Sequence, residues 1–300
     1  MTRRGTWFYV RVSIYLTVVA ALLLSRGEVS WRRLFSGLKT DAPATLTIGG
    51  RSLAPPLIDR LVLQYRQDYP RLEIRIVAGG TNEALEAVAN GLADVAFLSR
   101  PPTAEEQQTV LQVRNDTLLV EPVAVGAIEL LAGAACDTTP VSVEQLRDAI
   151  TAGLRPVYVP EPNEGLWDAL RASLDLAAPD PPPGSPVVFL ADEAAVVAAV
   201  AADPQGWGLV SSLAVTDGGP RRLRVGPEAA LPTYEAVATG AYPLFHRLSV
   251  ACLSAGGIEA GKFVTHLASG RGARQVERAG VVPAAQVMRE IVLTREPLGQ

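Results

Sequence analysis

Residues 79–100 read GGTNEALEAVANGLADVAFLSR, and this stretch sets the fold. Gly79-Gly80-Thr81 turns into a helix that Thr81 can cap and whose Leu85, Val88 and Leu92 share one face. Gly91 supplies its stop, and Asp94–Ser99 (DVAFLS) is then a short apolar strand. A helix that begins after a glycine turn presents free backbone N–H groups and the positive end of its dipole, a natural seat for an anion. The helix opens Asn82-Glu83, however, so a carboxylate stands where an anionic ligand would sit.

The flanking sequence repeats the pattern. TLTIGG, from Thr45, alternates apolar and polar residues and closes on glycines, as a strand does. Pro55-Pro56 opens a helix in which Leu57, Ile58, Leu61, Val62 and Tyr65 recur at helical spacing, and Pro70 ends it. Leu72–Ala78 is a second strand. The order β-α-β-α-β with short crossovers makes the three strands parallel. Ser52, Thr81 and the Ser99-Arg100 pair each follow the carboxyl end of one of them, the edge along which open parallel sheets bind ligands. Taken singly, Ser52 and Thr81 could equally be helix caps; three polar positions in succession at one edge point to a site.

Farther along, Val120–Gly133 (VEPVAVGAIELLAG) is a long buried strand with an irregular middle, suited to passing between two lobes. Val141–Gly153 is a helix closed by its glycine, Pro156 onward a strand, loop and helix, and Ala178–Pro186 a proline-rich surface loop. Glu193–Ser212 gives a helix, a turn and a buried strand. RLSVACLS, GIEAGKFVTHLASG and a last helix near Gly272 bearing Val276 complete the chain. No internal repeat is present.

With 300 residues, 48% of them hydrophobic, the chain can bury a large core. A net charge of −4 with scattered basic residues argues against a nucleic-acid partner. Two histidines, His246 and His266, and two cysteines, Cys136 and Cys252, are too few and too dispersed for a metal site, and no cofactor motif occurs. The cysteines could bridge in an oxidising compartment, but separate buried thiols suit their positions better. No Ser-His-Asp or Cys-His arrangement, phosphate loop or partnered acid pair suggests an enzyme.

The N-terminus differs from the rest. Trp7–Leu24 (WFYVRVSIYLTVVAALLL) approaches the length needed to cross a bilayer, with Arg11 placed to snorkel. It is read as an uncleaved anchor, although Val12–Leu24 also suits a signal-peptide core. Arg3 and Arg4 before the span, and Arg26, Arg32, Arg33 and Lys39 after it, pull its orientation in opposite directions. Ser36–Ala44 is a linker.

The runs TIGGRSLAPPLID, AGGTNEALEAVANGLADVAFLSRP, VVAAVAADPQGWGLVSS and PTYEAVATGAYPLFHRLSVACLS, in that order between Thr45 and Pro283, resemble the extracytoplasmic phosphate-binding proteins of ABC importers. The resemblance implies an α/β, two-lobe, type II-like periplasmic-binding-protein fold behind the N-terminal transmembrane helix. Its first lobe would comprise Thr45–Glu121 and Thr233–Gln300, and its second Pro122–Pro232, after an anchor and linker over 1–44. Together with the Trp7–Leu24 anchor, this gives the expectation of a single-pass protein of the inner (cytoplasmic) membrane with the globular part on the periplasmic side. By the same resemblance Ser52 with the Leu53 backbone, Thr81, Ser99 and Arg100 match phosphate contacts of the first lobe. In the second lobe the family's arginine and Ser-Gly-Thr turn fall on VPEPNEGLW. Pro160 replaces the arginine, Glu164 the serine and Leu166 the threonine; only Gly165 is kept. A buried phosphate dianion needs several charge-assisted donors, so the expectation is weak or lost phosphate binding. Another small solute is an alternative ligand. The alternative function is an accessory subunit docked on a larger membrane complex, such as a transporter or a respiratory or photosynthetic assembly.

Overall fold

The computed structural model describes residues 44–153, 155–161, 166–176, 185–213 and 219–286. The first strands and helices follow the sequence pattern: β1 (Thr45–Gly49), a 3-10 turn (Arg51–Leu53), α1 (Pro55–Asp68), β2 (Glu73–Ile76), α2 (Thr81–Asn90) and β3 (Val95–Leu98). β1 pairs in parallel with both β2 and β3. Next come α3 (Ala104–Arg114), β4 (Leu118–Ala132), α4 (Val143–Ala152), β5 (Val157–Pro160), α5 (Leu166–Leu174), β6 (Val187–Leu190), α6 (Glu193–Ala202), β7 (Trp207–Ser211) and β8 (Arg221–Arg222). The described chain closes with α7 (Tyr234–Ala238), β9 (Phe245–Leu253), α8 (Ile258–Ala268), α9 (Gly270–Arg278) and β10 (Val282–Pro283). The strands form one sheet in the order β2-β1-β3-β9-β4-β7-β5-β6, with β8 and β10 also on β4.

β4 joins two arms of this sheet. Leu118–Ala127 pairs antiparallel with β9, and Ile128–Ala132 with β7. The register slips between Pro122 and Ala124, where proline offers no N–H to the ladder. Each arm has its own core. Leu46, Ile48, Ile58, Leu61, Tyr65, Phe97, Val250 and Phe263 pack in the first. Ile128, Leu130, Leu146, Val157, Trp167, Leu170, Leu209 and Tyr242 pack in the second. The segment leading back to β9 shares the second core through Val237, Ala238, Tyr242 and Leu244, so the first arm resumes with β9 itself.

One expected core residue lies elsewhere. Gly91 adopts φ 72° and ends α2 at Asn90, so Leu92 no longer continues the helical face and is 71% exposed. A left-handed stop rotates whatever follows it off the face that periodicity alone would assign. Cys136 and Cys252 are separate buried thiols. The Trp7–Leu24 span, Glu164 and Gly165 lie outside the described residues; among those described, no helix is long and apolar enough to cross a membrane.

Candidate functional site

The carboxyl ends of β1, β2 and β3 lie side by side, and the 3-10 turn, the start of α2 and the start of the β3–α3 loop meet there. Gly50, at φ 86°, makes the first turn; a Cβ there would stand 2.5 Å from the Phe97 carbonyl oxygen. The turn is laced to the next one. Ser52 N–H donates to the Gly79 carbonyl (3.3 Å), and Gly79 N–H donates to Ser52 Oγ (3.0 Å). The Leu53 N–H is engaged by the Gly50 carbonyl at 3.3 Å.

Thr81 is fully buried. Its Oγ1 accepts from Ser99 N–H at 3.0 Å and lies 3.0 Å from Ser99 Oγ, so the two hydroxyls clamp the α2 start to the end of β3. Gly80 N–H donates to Glu83 Oε2 at 3.0 Å. The carboxylate that the sequence places at the helix N-terminus therefore takes an amide that an anion would use.

Arg100 is held by the chain as well. Its two Nη atoms grip Glu106 at 2.8 and 2.6 Å, and Nη2 also reaches Asn82 Oδ1 at 2.6 Å. Hydrogen bonding from Arg100 keeps the Glu106 carboxyl below its ordinary range, against the opposing pull of burial. Glu106 doubles as the third residue of the α3 capping box, accepting from Thr103 N–H at 2.7 Å. The Thr103-x-x-Glu106 spacing signals that cap in the sequence; nothing in it signals the pairing with Arg100.

At the corresponding edge of the second arm the described positions Pro160 and Leu166 are apolar. Pro160 is buried at the end of β5, opposite Leu190 of β6, and offers no N–H. Leu166, the first residue of α5, is 2% exposed and packs in the second core beside Trp167. Of the described positions expected to face a ligand here, neither can donate a hydrogen bond from its side chain.

The sequence gives no hint of a buried pair at the joint between the arms. Ser211, at the end of β7, sits opposite Ile128, and His246 on β9 opposite Gly126. Ser211 Oγ and His246 Nε2 are 2.6 Å apart, and Ser211 Oγ also accepts from Leu213 N–H at 3.0 Å. Gly126 leaves room for the ring; a Cβ there would come within 2.9 Å of His246 Nε2. His246 Nδ1 is buried without a partner, and burial pushes the imidazole down to about 4. A sealed Ser-His pair with no acid on Nδ1 lacks both the orienting carboxylate and the access that nucleophilic catalysis requires. Among the described residues no group of histidine, cysteine, aspartate and glutamate could hold a metal ion.

Comparison with known proteins places this architecture. The model of the PBP superfamily domain matches residues 38–271. The chain belongs to the PBP superfamily. The fold of this PBP domain is similar to that of a phosphate ABC transporter substrate-binding protein from Clostridium perfringens, solved with bound phosphate. That likeness has a TM-score of 0.67 at 18% identity, over 80% of this chain and 99% of the other. It is also similar to the CcmR regulatory domain of Synechocystis in complex with 2-PG, with a TM-score of 0.52 at 16% identity, over 75% of this chain and 96% of the other. Among curated proteins, an uncharacterised HTH-type transcriptional regulator of Mycobacterium tuberculosis is 30% identical over 146 residues, 48% of this chain and 42% of the regulator. The PBP domain thus spans less than half the length of that relative. The periplasmic-binding-protein fold expected from the motif resemblance is present over the described residues, which do not include the expected N-terminal helix, and phosphate-binding proteins and regulatory domains share that fold.

Proposed function

We propose that this PBP domain is a solute-binding-type module whose phosphate site is weakened or lost, held at the periplasmic face of the cytoplasmic membrane by Trp7–Leu24. In this reading Thr45–Glu121 with the C-terminal segment forms one lobe, Pro122–Pro232 the other, and ligand would enter between them. One observation carries the proposal: the Gly80 and Ser99 amides and the Arg100 guanidinium at the first edge are engaged within the chain, and the described residues of the second edge offer no side-chain donor. Gly80 N–H holds Glu83, Ser99 N–H holds Thr81, Arg100 holds Glu106 and Asn82, and the second edge has Pro160 and Leu166. A dianion entering here would have to displace Glu106 from Arg100 and would meet Glu83 as a like charge.

Calorimetric titration of the full chain in neutral detergent, with inorganic phosphate at moderate salt, tests this. Absent or millimolar binding is expected; micromolar binding overturns the weakened-site reading and restores a phosphate carrier. The self-satisfied edge also favours the second reading, an accessory subunit docked on a membrane complex, and the kinship with transcriptional regulators favours a sensing over a delivering role. Identifying what co-purifies after mild detergent extraction separates these from a free-standing binding protein.

A further inference from the structure

On the outer side of the first arm, α1 and α9 border a recess of about 240 Å³ lined by Gln64, Asp68, Arg271, Arg274, Gln275 and Arg278. The three arginines stand at i, i+3 and i+7 along α9, so one helix face carries them all. Arg271 meets Asp68 at 3.1 Å. Among the described residues, no hydrogen bond or ion pair engages the guanidinium groups of Arg274 and Arg278. Arg60 of α1 donates to the Arg278 carbonyl at 3.4 Å, tying the end of α9 to α1. Gln275, 7% exposed, forms part of the floor, with its Oε1 turned to His266 Nε2 at 3.3 Å.

The concentration of charge is not a consequence of composition, because the whole chain is acidic at −4. Three guanidinium groups around one small space, against a single carboxylate, leave two positive charges uncompensated. Surfaces that only need solubility intersperse the two signs. A carboxylate ligand would supply one negative charge; a phosphate monoester or pyrophosphate supplies two on a compact group and accepts the forked N–H pairs that arginine presents.

We infer that this recess is a second anion site, separate from the β1–β3 edge, that takes a phosphate monoester or pyrophosphate through Arg271, Arg274 and Arg278. The same chemistry is offered by a soluble phosphorylated compound and by a phosphatidic acid headgroup. The inference does not depend on the state of the edge, and its test reads individual arginines.

The full chain in neutral detergent is labelled with phenylglyoxal, and the modification of each arginine is followed by peptide mass spectrometry. Millimolar pyrophosphate is expected to slow labelling of Arg274 and Arg278 at least fivefold relative to sodium chloride of equal ionic strength. Exposed Arg247, on β9, should label unchanged. Asp68→Asn, which frees Arg271, should lower the half-protecting concentration several-fold. Equal labelling with and without pyrophosphate, uniform slowing of all arginines, or no tightening in Asp68→Asn overturns the inference. Micelles doped with phosphatidic acid, set against phosphatidylcholine, identify the source. Protection at a lower phosphate concentration than pyrophosphate supports a headgroup, and the reverse order supports a soluble ligand. Protection by neither overturns the site.

Discussion

The two strand edges occupy equivalent places, each just past the carboxyl end of a parallel strand and just before a helix, yet they are built from opposite materials. At the first edge, Ser52, Thr81, Ser99 and Arg100 form a polar lattice in which neighbours satisfy one another. At the second, Pro160 and Leu166 ask for no partner, and Leu166 continues into the core with Trp167. Buried polar groups must be satisfied, and a binding site leaves that task partly to its ligand. Here Thr81, Ser99 and Arg100 find partners within the first edge, and the described Pro160 and Leu166 of the second have no such need.

The largest contrast should appear in stability. Trp167 is 2% exposed and meets Phe189 edge-on with ring centroids 5.5 Å apart. Trp167→Ala is expected to cost about 3–5 kcal/mol in urea unfolding. A loss under 1 kcal/mol would show that the apolar edge is not built into the second core.

His246 tests the joint between the edges. Its folded-state pKa near 4 lies below the ordinary 6.5, so the unfolded chain takes up a proton that the buried ring refuses. Its contribution is full above about pH 6.5 and is lost as pH falls towards 4, by up to about 3 kcal/mol at 1.4 kcal/mol per unit. Denaturant midpoints between pH 7 and 4 should fall in the wild type and fall less in His246→Gln; parallel curves would refute this assignment.

Thr81→Val keeps the shape of the first edge but removes the acceptor for the buried Ser99 N–H, and should cost about 1–3 kcal/mol. A neutral result in thermal unfolding would mean that the Thr81–Ser99 clamp adds nothing beyond packing.

Glu106→Gln is the gentlest change, worth about 1 kcal/mol or less. Because the folded-state Glu106 pKa is lowered, its contribution is present above the ordinary carboxylate pKa and lost as pH falls through the depressed value. The variant should therefore lose less stability than the wild type at acid pH. With Arg100 released, calorimetry should register a gain in phosphate affinity over the wild type; unchanged affinity would show that the Glu106 pair is not what occupies the arginine.

Much of this was legible in order along the chain. Alternation from Thr45, helical spacing from Leu57 to Tyr65, and the Pro70 and Gly91 stops announced the β-α-β-α-β unit and placed Ser52, Thr81 and Ser99 at one edge. The run around Pro122 marked the strand that joins the arms. These features were readable because they depend on neighbours a few residues apart, where backbone sterics and side-chain period act directly.

What the sequence by itself determined, then, was the set of elements, their parallel arrangement and the residue types at each strand end. Only the tertiary structure decided which of those residues are already taken. Glu83 caps Gly80 locally, but the grip of Glu106 and Asn82 on Arg100 requires the starts of α2 and α3 to meet around the end of β3. Ser211 meets His246 only because β7 and β9 flank β4, and the arginines of α9 share a recess only because α1 lies alongside. Hydrogen bonds and ion pairs act over about 3–4 Å in space and are indifferent to separation along the chain, so whether a polar residue is free to bind is a property of the packed molecule.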